Sequence, residues 1–214
     1  MSSTPPPSET PWRERPAFWW ALFAAGTLAI LAFVPYANSI QKSVREAIGA
    51  QGVRWAMVAV VAVLAAGTVR WIYRRRAAIG GAAIGGAAIG RAGVLRFIAV
   101  PAVAAVWIAG MKVTAEAFHL IEYGLLGALA YRALAFRSSG FRAHAAAAVL
   151  TALAGGLDEL VQWLTPGRFG TLSDVGLNAA GGVLAQLWIA TGISRRDPPP
   201  KLPEPAAPPP GAPG

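Results

Sequence analysis

The chain has 214 residues, of which 55% are hydrophobic and only 14% charged, against about 25% charged in an ordinary soluble domain. So few charges cannot cover the surface of a water-soluble body of this size, and the composition points to a polytopic membrane protein. The absence of Cys excludes disulfide scaffolds, thiolate metal sites and cysteine nucleophiles. The net charge of +9 sits beside apolar runs instead of forming a basic patch interleaved with aromatics, so no nucleic-acid partner is expected.

In chain order, residues 1–16 are Pro-rich and expected to be a disordered cytoplasmic segment. Residues 17–110 hold three apolar stretches, Ala17 to Tyr36, Arg54 to Tyr73 and Val94 to Gly110, each expected as a membrane-spanning helix. The third contains Pro101, and neighbouring helices can satisfy the backbone groups a kink frees. Between the second and third, residues 77–90 repeat Ala-Ala-Ile-Gly-Gly; an Ile every fifth residue builds no lasting face on a helix or a strand, so a flexible linker is expected. Residues 111–193 supply three more helical stretches, Ala117 to Phe136, Ala143 to Trp163 and Val175 to Ile193, and residues 194–214 form a Pro-rich tail expected to be disordered. Ala37-Asn38-Ser39 loosely resembles a signal cleavage site, but the first apolar run exceeds the usual signal core, so it is read as an uncleaved anchor.

The expected fold is therefore an all-α polytopic transmembrane helix bundle of about six spans, multi-pass in the cell (inner, cytoplasmic) membrane. Sorting basic residues into alternate loops puts fourteen of the 19 on the side of the N-terminus and five, Lys42, Arg45, Arg54, Lys112 and Arg168, on the other. Both termini are expected to be cytoplasmic. Trp12, Trp19, Trp20, Trp55, Trp71, Trp163 and Trp188 fall near span ends, as an interfacial belt would. His144, at the cytoplasmic start of the fifth stretch, is expected to be a surface residue.

Charge inside the apolar region needs a reason. Five of the ten acidic residues, Glu116, Glu122, Asp158, Glu159 and Asp174, lie at the outer ends of the last three stretches, where a carboxylate is costly unless it meets a polar cavity or partner. Helical geometry puts Lys112, Glu116, His119 and Tyr123 within an arc of about 60°, with Glu122 flanking it. Asp158 and Gln162 share a face one turn apart, with Glu159 about 100° away. After the turn Thr165-Pro166-Gly167-Arg168-Phe169-Gly170, Asp174 and Asn178 are again one turn apart, with Gly181 and Ala185 continuing as a small-residue stripe. Asp174 is also placed to cap the sixth helix. The pattern predicts three helices converging on one outward-facing polar pocket, with Arg168 neutralising at least one carboxylate.

The series Glu116-Ala-Phe-His119-Leu-Ile-Glu122-Tyr123-Gly124, then Asp158-Glu159-Leu-Val-Gln162, Pro166-Gly167-Arg168-Phe169-Gly170 and Asp174-Val-Gly-Leu-Asn178-Ala-Ala-Gly181 resembles the VanZ-like family of membrane proteins, over roughly Lys112 to Ala190. Many relatives carry Lys three residues before the His, where this chain has Glu116 and places its Lys one turn earlier, at Lys112. The family is named for a protein that gives low-level teicoplanin resistance, so the resemblance implies a cell-envelope role linked to antibiotic resistance and does not imply a known reaction.

The residues support two readings of different class. In the first, Lys112, Arg168 and His119 hold an anionic envelope-lipid headgroup or a peptidoglycan-related group, Arg168 through its fork of donors, while the carboxylates accept the ligand's amines or hydroxyls. His119 then donates a hydrogen bond between Glu122 or Asp158 and the ligand. The alternative is an intramembrane metal-dependent hydrolase, with Glu116 and His119 at i and i+3 and Glu122, Asp158 or Glu159 completing the sphere. The sequence itself assigns no catalytic residue, metal-ligand set or cofactor. The bilayer is the one partner that composition implies.

Overall fold

Uninterrupted runs of Ala, Leu, Val and Ile with few breakers make nearly every described segment helical. The structure, a computed structural model, describes residues 15–78, 91–112 and 114–192. It has five helices, α1 (Pro16–Ala78), α2 (Arg91–Gly110), α3 (Thr114–Leu134), α4 (Gly140–Leu164) and α5 (Leu172–Gly192), and no strand among the described residues. The six stretches expected to be helical are so, except that Ala135 and Phe136 lie in the turn after α3 and Ile193 lies outside the described residues. The tails at 1–14 and 193–214 and the repeat at 79–90 also lie outside them.

The first two stretches are arms of one element. Between Ala37 and Ile48 there is neither Gly nor Pro, and Lys42 and Glu46 pair at i,i+4 across 3.9 Å, so the first arm continues where a loop would have been expected. It breaks at Gly49, whose φ of 70° and ψ of 163° suit only a residue without Cβ. Pro35 and Pro101 are both accommodated within helices.

Helix α3 is central, packed on α5, α1 and α4, while α2 packs against α1 and α5. Two apolar clusters hold it. In one, Phe23 of α1 meets Tyr123, Leu126 and Ala130 of α3 and Ala147 and Ala154 of α4. In the other, Ile108 and Met111 meet Ala117 and Leu120, with Met57, Val61, Leu177 and Leu184 around them. On the α3–α5 seam glycine lets the backbones approach closely, and on the α4–α5 seam glycine makes room for a side chain. A Cβ on Gly181 would lie 2.6 Å from the Leu120 carbonyl oxygen, and one on Gly155 only 2.5 Å from Asn178 Cβ. Such contact distances admit only glycine.

The outward faces are apolar. Leu28, Val63, Val106 and Leu153 are each about two-thirds or more exposed, a density of exposed aliphatic surface that water disfavours. Two helical stretches, Pro16–Arg70 and Gly140–Leu164, are long and apolar enough to cross a membrane, and Phe97–Gly110 is a shorter apolar helix. At the end of the molecule that carries the α3–α4 turn, Arg132 lies 4.7 Å above the Trp19 ring. His144 is not a free surface residue there: it is half-buried, stacked on Tyr131 with ring centroids 4.5 Å apart, and its Nδ1 is 3.1 Å from Gln186 Oε1. Gln186 in turn donates to the Gly127 carbonyl at 2.9 Å, so this pair ties α4 to α3 and α5.

Candidate functional site

At the opposite end, the residues predicted from helical spacing do meet. Helix α3 contributes Glu116, His119, Glu122 and Tyr123, α4 contributes Asp158, Glu159 and Gln162, the following turn Arg168, and α5 Asp174 and Asn178. Asp158, Glu159, Gln162 and Asn178 are all buried, at 2%, 4%, 4% and 0% exposure. Lys112 is exposed and lines neither of the cavities described below.

Gln162 is the hub. Its Nε2 donates to Asp158 Oδ2 at 3.1 Å and to Glu159 Oε1 at 3.2 Å, and its Oε1 accepts from Arg168 Nη2 at 2.7 Å. Arg168 Nη1 donates to Asn38 Oδ1, while Asn38 Nδ2 donates to the Gly167 carbonyl at 3.2 Å. The expectation that Arg168 neutralises a carboxylate directly is therefore not met. Nη1 and Nη2 each donate one bond to an amide, of Asn38 and of Gln162, and the charge of Arg168 acts on Asp158 through space and not through a contact ion pair. No Lys or Arg comes within ion-pair distance of Asp158 or Glu159 among the described residues.

Glu159 fastens the start of α5 to the end of α4. Its Oε2 accepts the Thr171 N–H at 3.1 Å and its Oε1 the Asn178 Nδ2 at 3.3 Å. The turn can reach it because residue 170 is Gly: a Cβ there would sit 1.9 Å from the Glu159 carbonyl oxygen. The preceding Gly167 has φ of 76°, a conformation that favours Gly. Asp174 lies in the first turn of α5, where its N–H takes the Thr171 hydroxyl as acceptor at 3.1 Å and its Oδ2 accepts from that hydroxyl at 2.8 Å. Thr171 is thus the N-cap and Asp174 its partner. The 0%-exposed Asn178 is both a packing contact and a ligand of Glu159.

His119 faces these acids. Its Nδ1 is 3.9 Å from both Asp158 Oδ2 and Glu159 Oε1 and has no hydrogen-bond partner, and its ring stacks near Tyr123. Tyr123, 1% exposed, belongs to the core, with its hydroxyl toward Asp158. Glu116 is not in the His119–Asp158–Glu159 group, so the half-site predicted from Glu116-Ala-Phe-His119 is not the grouping that forms.

Two cavities open around this network. One, of about 360 Å³, is polar and lined by Asn38, Gln41, Glu116, His119, Gln162, Arg168, Thr171 and Asp174 among others. The other, of about 100 Å³, runs between the first arm of α1 and α3 and is mainly apolar, with Phe33, Val34, Ile40, Val44 and Phe118 alongside Glu122 and Asp158. Gln41, His119, Gln162 and Arg168 line both. Asn38 and Gln41 were not among the residues singled out from sequence. The available signal was two amides three residues apart, hence on one face, directly after an apolar span.

A model of the family described as VanZ/LLP1 matches residues 21–192, extending the likeness from the last three helices to α1 and α2. No curated protein and no solved structure matches the chain.

Proposed function

The chain belongs to the VanZ/LLP1 family, and from that premise we propose that it is a multi-pass protein of the cytoplasmic membrane whose polar site, on the outer side, binds the anionic head of an envelope amphiphile. The six helical stretches cross the bilayer, α1 twice through its break at Gly49, with both termini in the cytoplasm. The exposed aliphatic faces and the excess of basic residues on one side support this arrangement.

The observation that carries the binding reading is the pair of adjoining cavities that share Arg168 and His119. A polar chamber lined by a guanidinium suits a phosphate or carboxylate, which Arg168 meets with the N–H that Nη1 and Nη2 each keep beyond their bonds to Asn38 and Gln162. The apolar chamber beyond it, walled by Phe33, Ile40, Val44 and Phe118, suits the first carbons of an acyl or isoprenoid chain. A ligand with both parts fits better than a free headgroup. By the family's association with glycopeptide resistance, the function is a contribution to teicoplanin tolerance through that ligand.

The test is native mass spectrometry of detergent-purified protein mixed with phosphatidylglycerol or with phosphatidylcholine. Retention of the anionic lipid over the zwitterionic one, lost in Arg168→Gln, is the expected result. Equal retention of both, or no change in the variant, would remove the anion site. In cells, deletion should lower the teicoplanin concentration tolerated, with Arg168→Gln no better than the deletion.

A further inference from the structure

Hydrogen bonds from Gln162, Thr171 and Asn178 hold the two carboxylates of the His119–Asp158–Glu159 grouping, but none joins His119 to either acid. Side chains from α3 and α4 bring one imidazole nitrogen and two carboxylates so close that a ligand atom of each lies within 4.8 Å of the others. His119 Nδ1 stands 3.9 Å from an oxygen of each acid, too far for a hydrogen bond. Asp158 is 2% exposed in its side chain and lines the cavity beside His119, yet its Oδ1 has no hydrogen-bond partner; His119 Nδ1 has none either. Buried polar atoms are ordinarily satisfied, and those that are not call for an explanation.

The charge balance is the second observation. Asp158 and Glu159 are adjacent in sequence and buried, Glu122 lines the same cavity as Asp158, and Arg168 is engaged by amides. Two buried carboxylates with no Lys or Arg beside them are costly, and the single imidazole within 3.9 Å of both supplies at most one positive charge, only when protonated.

We propose that His119, Asp158 and Glu159 bind a single divalent cation of the Mn²⁺ or Zn²⁺ class. Bonds from such an ion to nitrogen and oxygen run about 2.0–2.2 Å, which sets two ligand atoms on one ion roughly 3 to 4 Å apart. The 3.9 Å from His119 Nδ1 to each acid oxygen lies at the wide end of that spacing, and closing around a tetrahedral ion, with about 3.4 Å between ligand atoms, takes about half an ångström of side-chain movement. One nitrogen and two carboxylates form a donor set that mixes the preferences of Zn²⁺ and Mn²⁺ and suits neither Cu⁺ nor an iron–sulfur centre. Three protein ligands leave coordination positions open toward the cavity that His119 and Asp158 line. Gln162 and Asn178 serve as the outer shell. Gln162 donates to both carboxylates and Asn178 to Glu159, fixing the oxygens that do not move freely on their own. The site also deepens the binding reading, on which this one consequence rests: an open-sided divalent ion among acids gives an anionic head a second cationic contact besides Arg168.

The experiment is metal titration of the full chain, purified in detergent, stripped with chelator and given no lipid. Bound Mn²⁺ is counted by electron paramagnetic resonance and Zn²⁺ by elemental analysis. One ion per chain is expected, with none retained by His119→Gln and none by the Asp158→Asn, Glu159→Gln double variant. Gln162→Leu should weaken affinity by about 10- to 100-fold without abolishing it. Thermal melting of each variant without metal identifies any that fails to fold. Should all of them fail, Co²⁺ loaded into the unaltered protein decides the matter by its visible absorption and by paramagnetically shifted imidazole proton signals. No stoichiometric ion, a Co²⁺ spectrum without an imidazole signal, or undiminished metal in a folded His119→Gln would each overturn the proposal. The lipid measurement on metal-free protein is separate. Metal bound without lipid preference would leave the cation site standing and refute the anion reading, and the converse would do the reverse.

Discussion

Arg168 Nη2 donates to Gln162 Oε1 at 2.7 Å while the other fork of the same guanidinium is held by Asn38, so the strongest cation at the site is anchored between α4 and the first arm of α1. The arginine is a clamp across helices that are far apart in sequence. Double-mutant cycles report such a clamp directly. Asn38→Leu and Arg168→Gln should each lower the melting temperature in detergent, and the pair together should lower it by clearly less than the sum. The expected coupling is about 0.5–3 kcal/mol, the range for residues in direct contact. Strict additivity would mean that the two side chains do not meet.

The Pro166–Gly170 turn gives a ranking of two glycines. Gly167 needs only its φ of 76°, so Gly167→Ala should cost about 1–2 kcal/mol. Gly170 has no room for a methyl group, with the Glu159 carbonyl 1.9 Å from where it would be. Gly170→Ala should therefore reduce the yield of folded protein far more than Gly167→Ala. Size-exclusion profiles of the two variants compare them, and equal yields would contradict the packing of this turn.

Thr171 caps α5 through its hydroxyl, which accepts the Asp174 N–H. Thr171→Val keeps the shape and removes the acceptor, and should destabilise the protein by about 1 kcal/mol. Thr171→Ser, which keeps the hydroxyl, should stay close to the parent in a melting experiment. A Ser variant as unstable as the Val variant would assign the effect to the lost methyl group.

Topology is open to a direct test. A reporter fused after Gly214 should be active only in the cytoplasm, whereas one inserted at Gly49 should be active only on the outer side. A cytoplasmic signal at Gly49 would mean that α1 does not cross the bilayer twice.

Much of the site was legible because it depends on helical spacing. Glu116, His119 and Tyr123 fall on one face by the 100° rule, and Asp158 with Gln162 by i,i+4; Glu116, His119 and Gln162 line the polar cavity, and the Tyr123 hydroxyl turns toward Asp158. What was not legible depends on tertiary register. Nothing local says that Asn38 meets a turn 130 residues later, or that Arg168 would choose amides over the acids around it. The helical segment between Tyr36 and Gly49 was read as a loop because its polar residues end an apolar run, although no residue in it stops a helix. His144 was misplaced for the same reason. Its partners Tyr131 and Gln186 lie on other helices, and an isolated His in an Ala-rich segment carries no sign of them.

The glycine seams have a consequence for how the molecule can change. Helices α3 and α5 meet nearly main chain to main chain, at Gly181 against Leu120 and Gly127 against Gly182, and on the α4–α5 seam Gly155 receives the Asn178 side chain and Gly182 that of Thr151. These three helices therefore pack as one plate, and a larger side chain at Gly181 or Gly155 has to push them apart. The first arm of α1 touches that plate at the site through side chains, among them Asn38, Gln41, Ile40 and Val44. Exchanges at Ile40 and Val44 reshape the wall of the cavity, whereas one at Asn38 also loosens Arg168 and, through Gln162, the acids. The cavity wall is thus adjustable at Ile40 and Val44 on α1, while the buried acids sit on the seams behind it.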